Sequence, residues 1–342
     1  FSPDGWGQLN VEIYGGMLPN SWLNRELGIA GIIYDHSGKC HYLQTDALAF
    51  IPQLAPHLDR DSTKSLQLDP QQHLRPLWQL GDNQPGILDL LAKQAGLDSA
   101  ADISSHELYT FDTHEPRRIG TNKQFLSSAR QDNLLSVYSA TCALLSLATD
   151  NYQGDNILIS AAFDHEEVGS HTVNGAAGPL LEQVLQRCAL AGGEKDSYQR
   201  LLATSSCLSA DVAHSVNPNY PEKHDPDTRP IMGDGPVLKL NASQHYSTDA
   251  YGWHLWEDAA RRSGVNTQRF VSKNTVTCGS TIAPMISTRL GITTIDVGVP
   301  ILSMHSAREM CSLNDQVEMA KIMRAYLEKE TSLVGHTGFE PV

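Results

Sequence analysis

Positive charge is scarce in this 342-residue chain. It carries 25 Lys and Arg against 39 Asp and Glu, a formal net charge of −14 with histidine neutral. Binding to nucleic acid needs clustered Lys and Arg to neutralise phosphate, so the balance excludes nucleic acid as a partner class. It argues equally against docking on anionic membranes. No apolar run approaches the ~20 residues of a membrane span, and no basic segment followed by an apolar stretch opens the chain as a signal peptide would. The six cysteines (Cys40, Cys142, Cys188, Cys207, Cys278 and Cys311) form no CxxC pair. In a chain too long for a disulfide-stapled miniprotein, they read as reduced thiols of a cytoplasmic protein. Internal repeats and low-complexity tracts are missing. So is an initial Met: Phe1 stands first, and a processed protein or a fragment is expected.

What is present describes a globular protein. The chain is 40% hydrophobic and 19% charged, and its length fits roughly two domains at about 150 residues each. Residues 1–60 are strand-rich in pattern, with Val11–Tyr14 closed by Gly15-Gly16, the apolar run Leu27–Tyr34, a hairpin turn at Asp35–Gly38, and Leu48–Ile51. A polar middle stretch contains a helical pattern at Gly86–Ala95 and a returning strand at Ser104–Phe111. A boundary is expected near 112–118. Beyond it, strands are expected at Asn156–Phe163, Cys207–Val212, Pro236–Leu240 and Thr293–Val297. Helices are expected at Asn133–Ala148, Gly178–Leu190, Tyr251–Ser263, Thr281–Leu290 and Val317–Glu330, and Gly335–Val342 reads as a tail. Strands alternating with helices predict an α/β domain built on a mostly parallel sheet.

Four motifs could carry chemistry. Phe163–Ser170 (FDHEEVGS) places Glu166 and Glu167 side by side after an apolar run, at an edge where open sheets hold their sites. One glutamate can bind a metal while its neighbour works as a general base. Asp211 and His214 follow another apolar stretch, and Asp132-Asn133 opens the long helix, where such residues ordinarily cap. His305 follows the strand at Thr293–Val297. Each motif alone also reads as ordinary loop or cap structure. Together, Asp132, Glu166, Glu167, Asp211 and His305 fall at one plausible sheet edge, and oxygen donors plus imidazole suit Zn²⁺, with Mn²⁺ or Co²⁺ as substitutes.

With these blocks in order, the chain resembles the aspartyl aminopeptidase family of dinuclear zinc exopeptidases. The likeness runs from about Gly5 to about Glu328. It rests on YGG at Tyr14–Gly16, NREL at Asn24–Leu27, IPQLAPHLDR at Ile51–Arg60, QDN at Gln131–Asn133, FDHEEVGS, and the long block Asp211–Pro230. GPVLKLN at Gly235–Asn241, CGSTIAP at Cys278–Pro284 and MHSAREM at Met304–Met310 complete it.

The resemblance implies two zincs per subunit. Asp132 would bridge them, Glu167 and His305 would bind one, and Asp211 the other. Glu166 would be the general base for a water held between the metals. His57, His214, Lys239 and Tyr246 would contact substrate, with His57 reaching a neighbouring subunit and Lys239 receiving an acidic side chain. The implied activity removes N-terminal Asp or Glu from peptides. The implied architecture is a smaller strand-rich dimerisation domain (residues 1–114) and a catalytic α/β zinc-exopeptidase domain (115–342), assembled as a homo-oligomeric dodecamer. The family's His-Thr-Asp-Ser-Pro block, whose His is a further zinc ligand, has no counterpart here; the chain is expected to lack the opening strands of its catalytic domain. The alternative is an impaired, truncated member acting at most as an assembly subunit. Without the resemblance, another metal-dependent amidohydrolase would fit.

Overall fold

A computed structural model describes residues 4–81, 85–193 and 196–328. The chain divides into two compact units. One comprises residues up to Pro116 together with His305–Arg308, and the other runs from Arg117 to Met304 and resumes at Glu309. The expected tail at Gly335–Val342 and the end of the expected helix at Glu330 lie outside the described residues.

The first unit is an antiparallel sheet with two short helices. Its elements are β1 (Trp6–Gln8), β2 (Glu26–Asp35), β3 (Cys40–Gln44), β4 (Ala49–Phe50), α1 (Pro70–His73), β5 (Leu77–Leu80), α2 (Ile87–Gln94) and β6 (Ile103–Asp112). The strand order is β1-β5-β4-β2-β3, with β6 also paired to β2. The β2–β3 hairpin turns where expected. The Asp35 carboxylate accepts from the Ser37 and Lys39 amides and from the Ser37 hydroxyl, satisfying a tight turn from its own side chain. Apolar residues of β2 alternate with its partners so that Leu27, Ile29 and Ile33 are buried. The apolar run Val11–Tyr14 does not become a strand; a strand exists only where a partner accepts its backbone groups.

The second unit contains β7 (Arg117–Ile119), β8 (Phe125–Ser128), α3 (Gln131–Thr149), α4 (Leu180–Ala191), α5 (Ser197–Thr204), β9 (Ser206–His214), β10 (Val237–Leu240), α6 (Ala250–Ser263), β11 (Gln268–Val271), α7 (Ala283–Leu290), β12 (Thr293–Leu302), β13 (Glu309–Ser312) and α8 (Leu313–Leu327). Its seven-stranded sheet runs β11-β10-β12-β13-β8-β7, with β9 also on β12. The architecture is α/β as expected, and the sheet is mixed. Its longest ladder, β9 with β12, is parallel, as is β10 with β11, while β10–β12, β12–β13, β13–β8 and β8–β7 are antiparallel.

β12 is the buried strand around which this unit is built. Residues Thr294 to Ile301 are all buried, which is why its sequence, TTIDVGVPIL, is nearly continuous in apolar residues. It extends past the Val297 limit expected from sequence. Pro300 is tolerated because the β10 ladder ends at Gly298 and the β13 ladder begins at Ile301, so its missing N–H falls between two partners. The face of the sheet bearing Val297 and Val299 packs with α3, α6 and α8, whose Trp256 and Met319 are wholly buried. α6 is delimited by its own residues. Asp249 caps its start by accepting the Gly252 amide, and Gly264 ends it in the left-handed region. The expected strand at Asn156–Phe163 is irregular, with Ile157 and Ile159 exposed. No strand among the described residues pairs with it.

Candidate functional site

The two parallel strands β9 and β12 end at the same edge of the sheet, the edge where open α/β sheets hold ligands. Asp211 lies near the carboxyl end of β9, and β12 runs out into the short segment that holds His305. Asp132 lies in the opening turn of α3. The Asp132–Asn133 peptide is cis, and both residues leave helical geometry there. Glu166 and Glu167 occupy a single 3₁₀ turn, Glu166–Val168, that follows the irregular segment rather than a strand.

Ligand-capable atoms of Asp132, Glu167 and His305 all lie within 4.8 Å of one another. Two carboxylates and an imidazole at that spacing are a donor set suited to a zinc ion, so the residues fit a metal. His305 Nδ1 lies 3.1 Å from the Gly16 carbonyl oxygen. An Nδ1–H donated there leaves Nε2 as the ligand atom, the usual outer hydrogen bond of a metal-binding histidine. Left-handed backbone at non-glycine residues is uncommon, yet it occurs at Arg130, His165 and His305, beside or within each of the three ligand positions. Such conformations are held only where surrounding structure demands them.

Asp211 is engaged by Lys239. The Lys239 Nζ donates to Asp211 Oδ2 at 2.8 Å, and Lys239 is buried while Asp211 keeps a quarter of its side chain exposed. Burial pushes the Asp211 pKa up, but the Lys239 ammonium outweighs it, and the net shift is downward. Lys239 also sits over the Tyr246 ring, 5.3 Å from its centroid, a cation–π distance. Glu166 is another carboxylate with a displaced pKa. Part of the residue faces solvent, yet crowding by protein around its carboxyl comes first among the causes. The charges of Asp211, Glu167 and Asp132 add to this, and together they push it up to about 7. His214 lies beside Phe270, 6.1 Å between ring centroids. His57 is an exposed loop residue of the first unit.

The sequence assigned no supporting role to the residues that hold these in place. Glu309 is buried and accepts the Asp132 amide at 3.1 Å. Gln131 donates to the carbonyls of Leu126 and Glu309. Asn133 and Ser136 donate to the Ala210 and Asp211 carbonyls, fixing the start of α3 against β9. Asp296, in the middle of β12, accepts from the Ser247 amide and the Thr281 hydroxyl. A carboxylate within an apolar strand is itself a signal, because a charge is buried only where it has partners.

Comparison with known proteins agrees on one family. The family described as aminopeptidase I zinc metalloprotease (M18) matches residues 2–327. A Streptomyces coelicolor protein named probable M18 family aminopeptidase 2 is 43% identical over 329 residues, covering 95% of this chain and 76% of that protein. Among solved structures, a chain in the cryo-EM structure of the Ape4 and Nbr1 complex superposes with a TM-score of 0.89 at 31% identity, covering 96% of this chain and 67% of that one. The Saccharomyces mApe1 dodecamer gives 0.78 at 28% identity, over 96% and 74%.

Proposed function

This chain belongs to the aminopeptidase I zinc metalloprotease (M18) family, and from that we infer that it removes acidic residues from the N-termini of peptides. It is a metalloaminopeptidase, a hydrolase of peptide bonds. The acidic preference is carried by one observation: a buried ammonium, Lys239, placed beside Tyr246 at the carboxylate cluster. An ammonium has three donors, and one is given to Asp211. The others can receive the substrate's carboxylate. With a net charge of −14, attraction for an acidic residue must be local rather than long-range.

In this reading Asp132, Glu167, His305 and Asp211 would hold the zinc, with Asp132 shared between two ions, Glu167 and His305 serving one and Asp211 the other. Zinc, when bound, polarises the scissile carbonyl and lowers the pKa of water toward neutrality. Glu166 takes the proton of the attacking water and delivers it to the leaving amine nitrogen, a role that needs a carboxylate next to the ligand Glu167. Tyr246 and His214 contact the substrate, and His57 meets the developing oxyanion of a neighbouring subunit. Residues 1–114 form the dimerisation domain and 115–342 the catalytic one. The assembly is a homo-oligomer, by analogy with the mApe1 dodecamer. No helix among the described residues is long and apolar enough to cross a membrane.

The test pairs metal analysis with rates on Asp-, Glu- and Leu-p-nitroanilide for the wild type and for Lys239→Met. About two zincs per chain are expected, with acidic substrates preferred, and the substitution should erode that preference about tenfold, the scale of one charge-assisted hydrogen bond. A wild type that cleaves Leu as readily as Asp, or a variant with unaltered preference, refutes the reading.

A further inference from the structure

Asp296 is wholly buried in the centre of β12 and takes no part in the chemistry above. Its surroundings are two loops, one through Gln244–Thr248 and one through Cys278–Thr281. Asp296 Oδ2 accepts the Ser247 amide at 2.6 Å, and Oδ1 accepts the Thr281 hydroxyl at 2.5 Å. The Asp296 amide donates to Thr248 Oγ1 at 2.9 Å. Three bonds from one residue thus fasten both loops to the most buried strand of the unit. Between Ser247 and the turn before it lies Tyr246, and Cys278 of the second loop packs against the buried cluster that contains it. The Ser280 hydroxyl donates to the His245 carbonyl, joining the loops again at 3.4 Å. Thr281 also receives the Ala283 amide at the start of α7, which anchors the second loop at its far side.

We propose that Asp296 is a positioning residue for substrate selection, holding the Tyr246 and Cys278 loops against β12 so that Tyr246 stays fixed beside Lys239. The proposal rests on the reading of Tyr246 as a substrate contact. A buried acceptor joined to three donor or acceptor groups on two different loops is more than strand packing requires: an apolar residue would fill β12 as well, and would leave both loops untethered.

The experiment compares Asp296→Ala, Asp296→Asn and Thr281→Val in the full chain. Two readouts are taken: KM and kcat for Asp- and Leu-p-nitroanilide, and the rate at which Cys278 is alkylated, followed by mass spectrometry. For Asp296→Ala, KM for the Asp substrate should rise about tenfold with kcat and zinc content nearly unchanged, the scale of one lost charge-assisted hydrogen bond. Cys278 should be alkylated faster. Asn keeps one carbonyl acceptor, so it should restore part of both effects, and Thr281→Val should give a smaller version of the same pattern. Equal losses on both substrates, a fall confined to kcat, loss of zinc, or unaltered Cys278 alkylation overturns the proposal. If the wild type shows no acidic preference, the reading of function fails while the alkylation rates still decide whether Asp296 tethers the loops.

Discussion

Gly298→Ala adds one methyl group where β9 and β12 come closest. An ideal Cβ at Gly298 lies 2.6 Å from the Val212 carbonyl carbon and 2.9 Å from the Ala213 nitrogen. Ordinary van der Waals contact begins at 3.4 Å, so the strands must part by about 0.8 Å, the difference between that limit and 2.6 Å. Both obstructing atoms are backbone, and no rotamer clears them. Parallel register sets Gly298 opposite Asp211, so the displacement falls on the residue held by Lys239 at 2.8 Å. Overpacking a core costs about 1–3 kcal/mol, and the upper part applies because backbone must move. At about 2–4 °C per kcal/mol for a unit of this size, the melting temperature should fall by roughly 6–12 °C. A misplacement of this order can lower turnover about 100-fold. Differential scanning calorimetry and p-nitroanilide rates test both numbers. A variant that melts with the wild type and keeps its kcat would show that β9 and β12 absorb the methyl, and the reasoning from close approach would be wrong.

Two further outcomes follow from the structure. Asp315 is buried, and although it accepts the Gly233 and Gly235 amides, burial together with Glu318 and Asp234 pushes its pKa up to about 6. A carboxyl whose pKa is raised by folding holds a proton that the unfolded chain has released, so its stability contribution is complete below the unfolded value near 4 and is lost as pH rises through about 6. Melts of Asp315→Asn and wild type across this window should therefore shift in favour of the variant as pH rises, then run parallel above it; a constant difference would contradict the assignment. Stripping metal with a chelator should abolish turnover and lower stability, by about 2.7 kcal/mol relative to the chain in zinc at 100 times its dissociation constant. Added zinc should reverse both, and a chelated chain with unchanged melting would count against the Asp132, Glu167 and His305 cluster as a metal site.

The elements read most directly from sequence were those whose pattern carries its own boundaries. α6 begins at a capping Asp249 and ends at Gly264, and α4 follows Pro179, so residue chemistry alone marks both. β10 appears as a short apolar run because it is buried. What could not be read was whatever depends on a partner. Asn156–Phe163 has the composition of a buried strand and no strand to pair with among the described residues. Conversely, β13 and β8 contain little apolar patterning and become strands through each other. Pro300 concealed the second half of β12, because the gap between two ladders that admits it is a property of the sheet. At the site, the ligand-type residues were conspicuous by type, whereas Glu309, Gln131 and Ser136 act through backbone groups, which no motif displays. Asp296 was legible in principle, as a lone carboxylate in an apolar run.

The alternation of β12 has a practical consequence for anyone altering this protein. Asp296 and Gly298 sit two apart on a strand whose neighbours Val297 and Val299 fill the helical core. Deleting one residue from the strand would exchange its two faces, sending the loop tether into the hydrocarbon interior and valines toward the chemistry. Random mutagenesis of this segment should thus yield few clones that fold but have altered selectivity. Libraries aimed at new substrates are better directed to Gln244–Tyr246 and Cys278–Ser280, which ride on the strand without composing it.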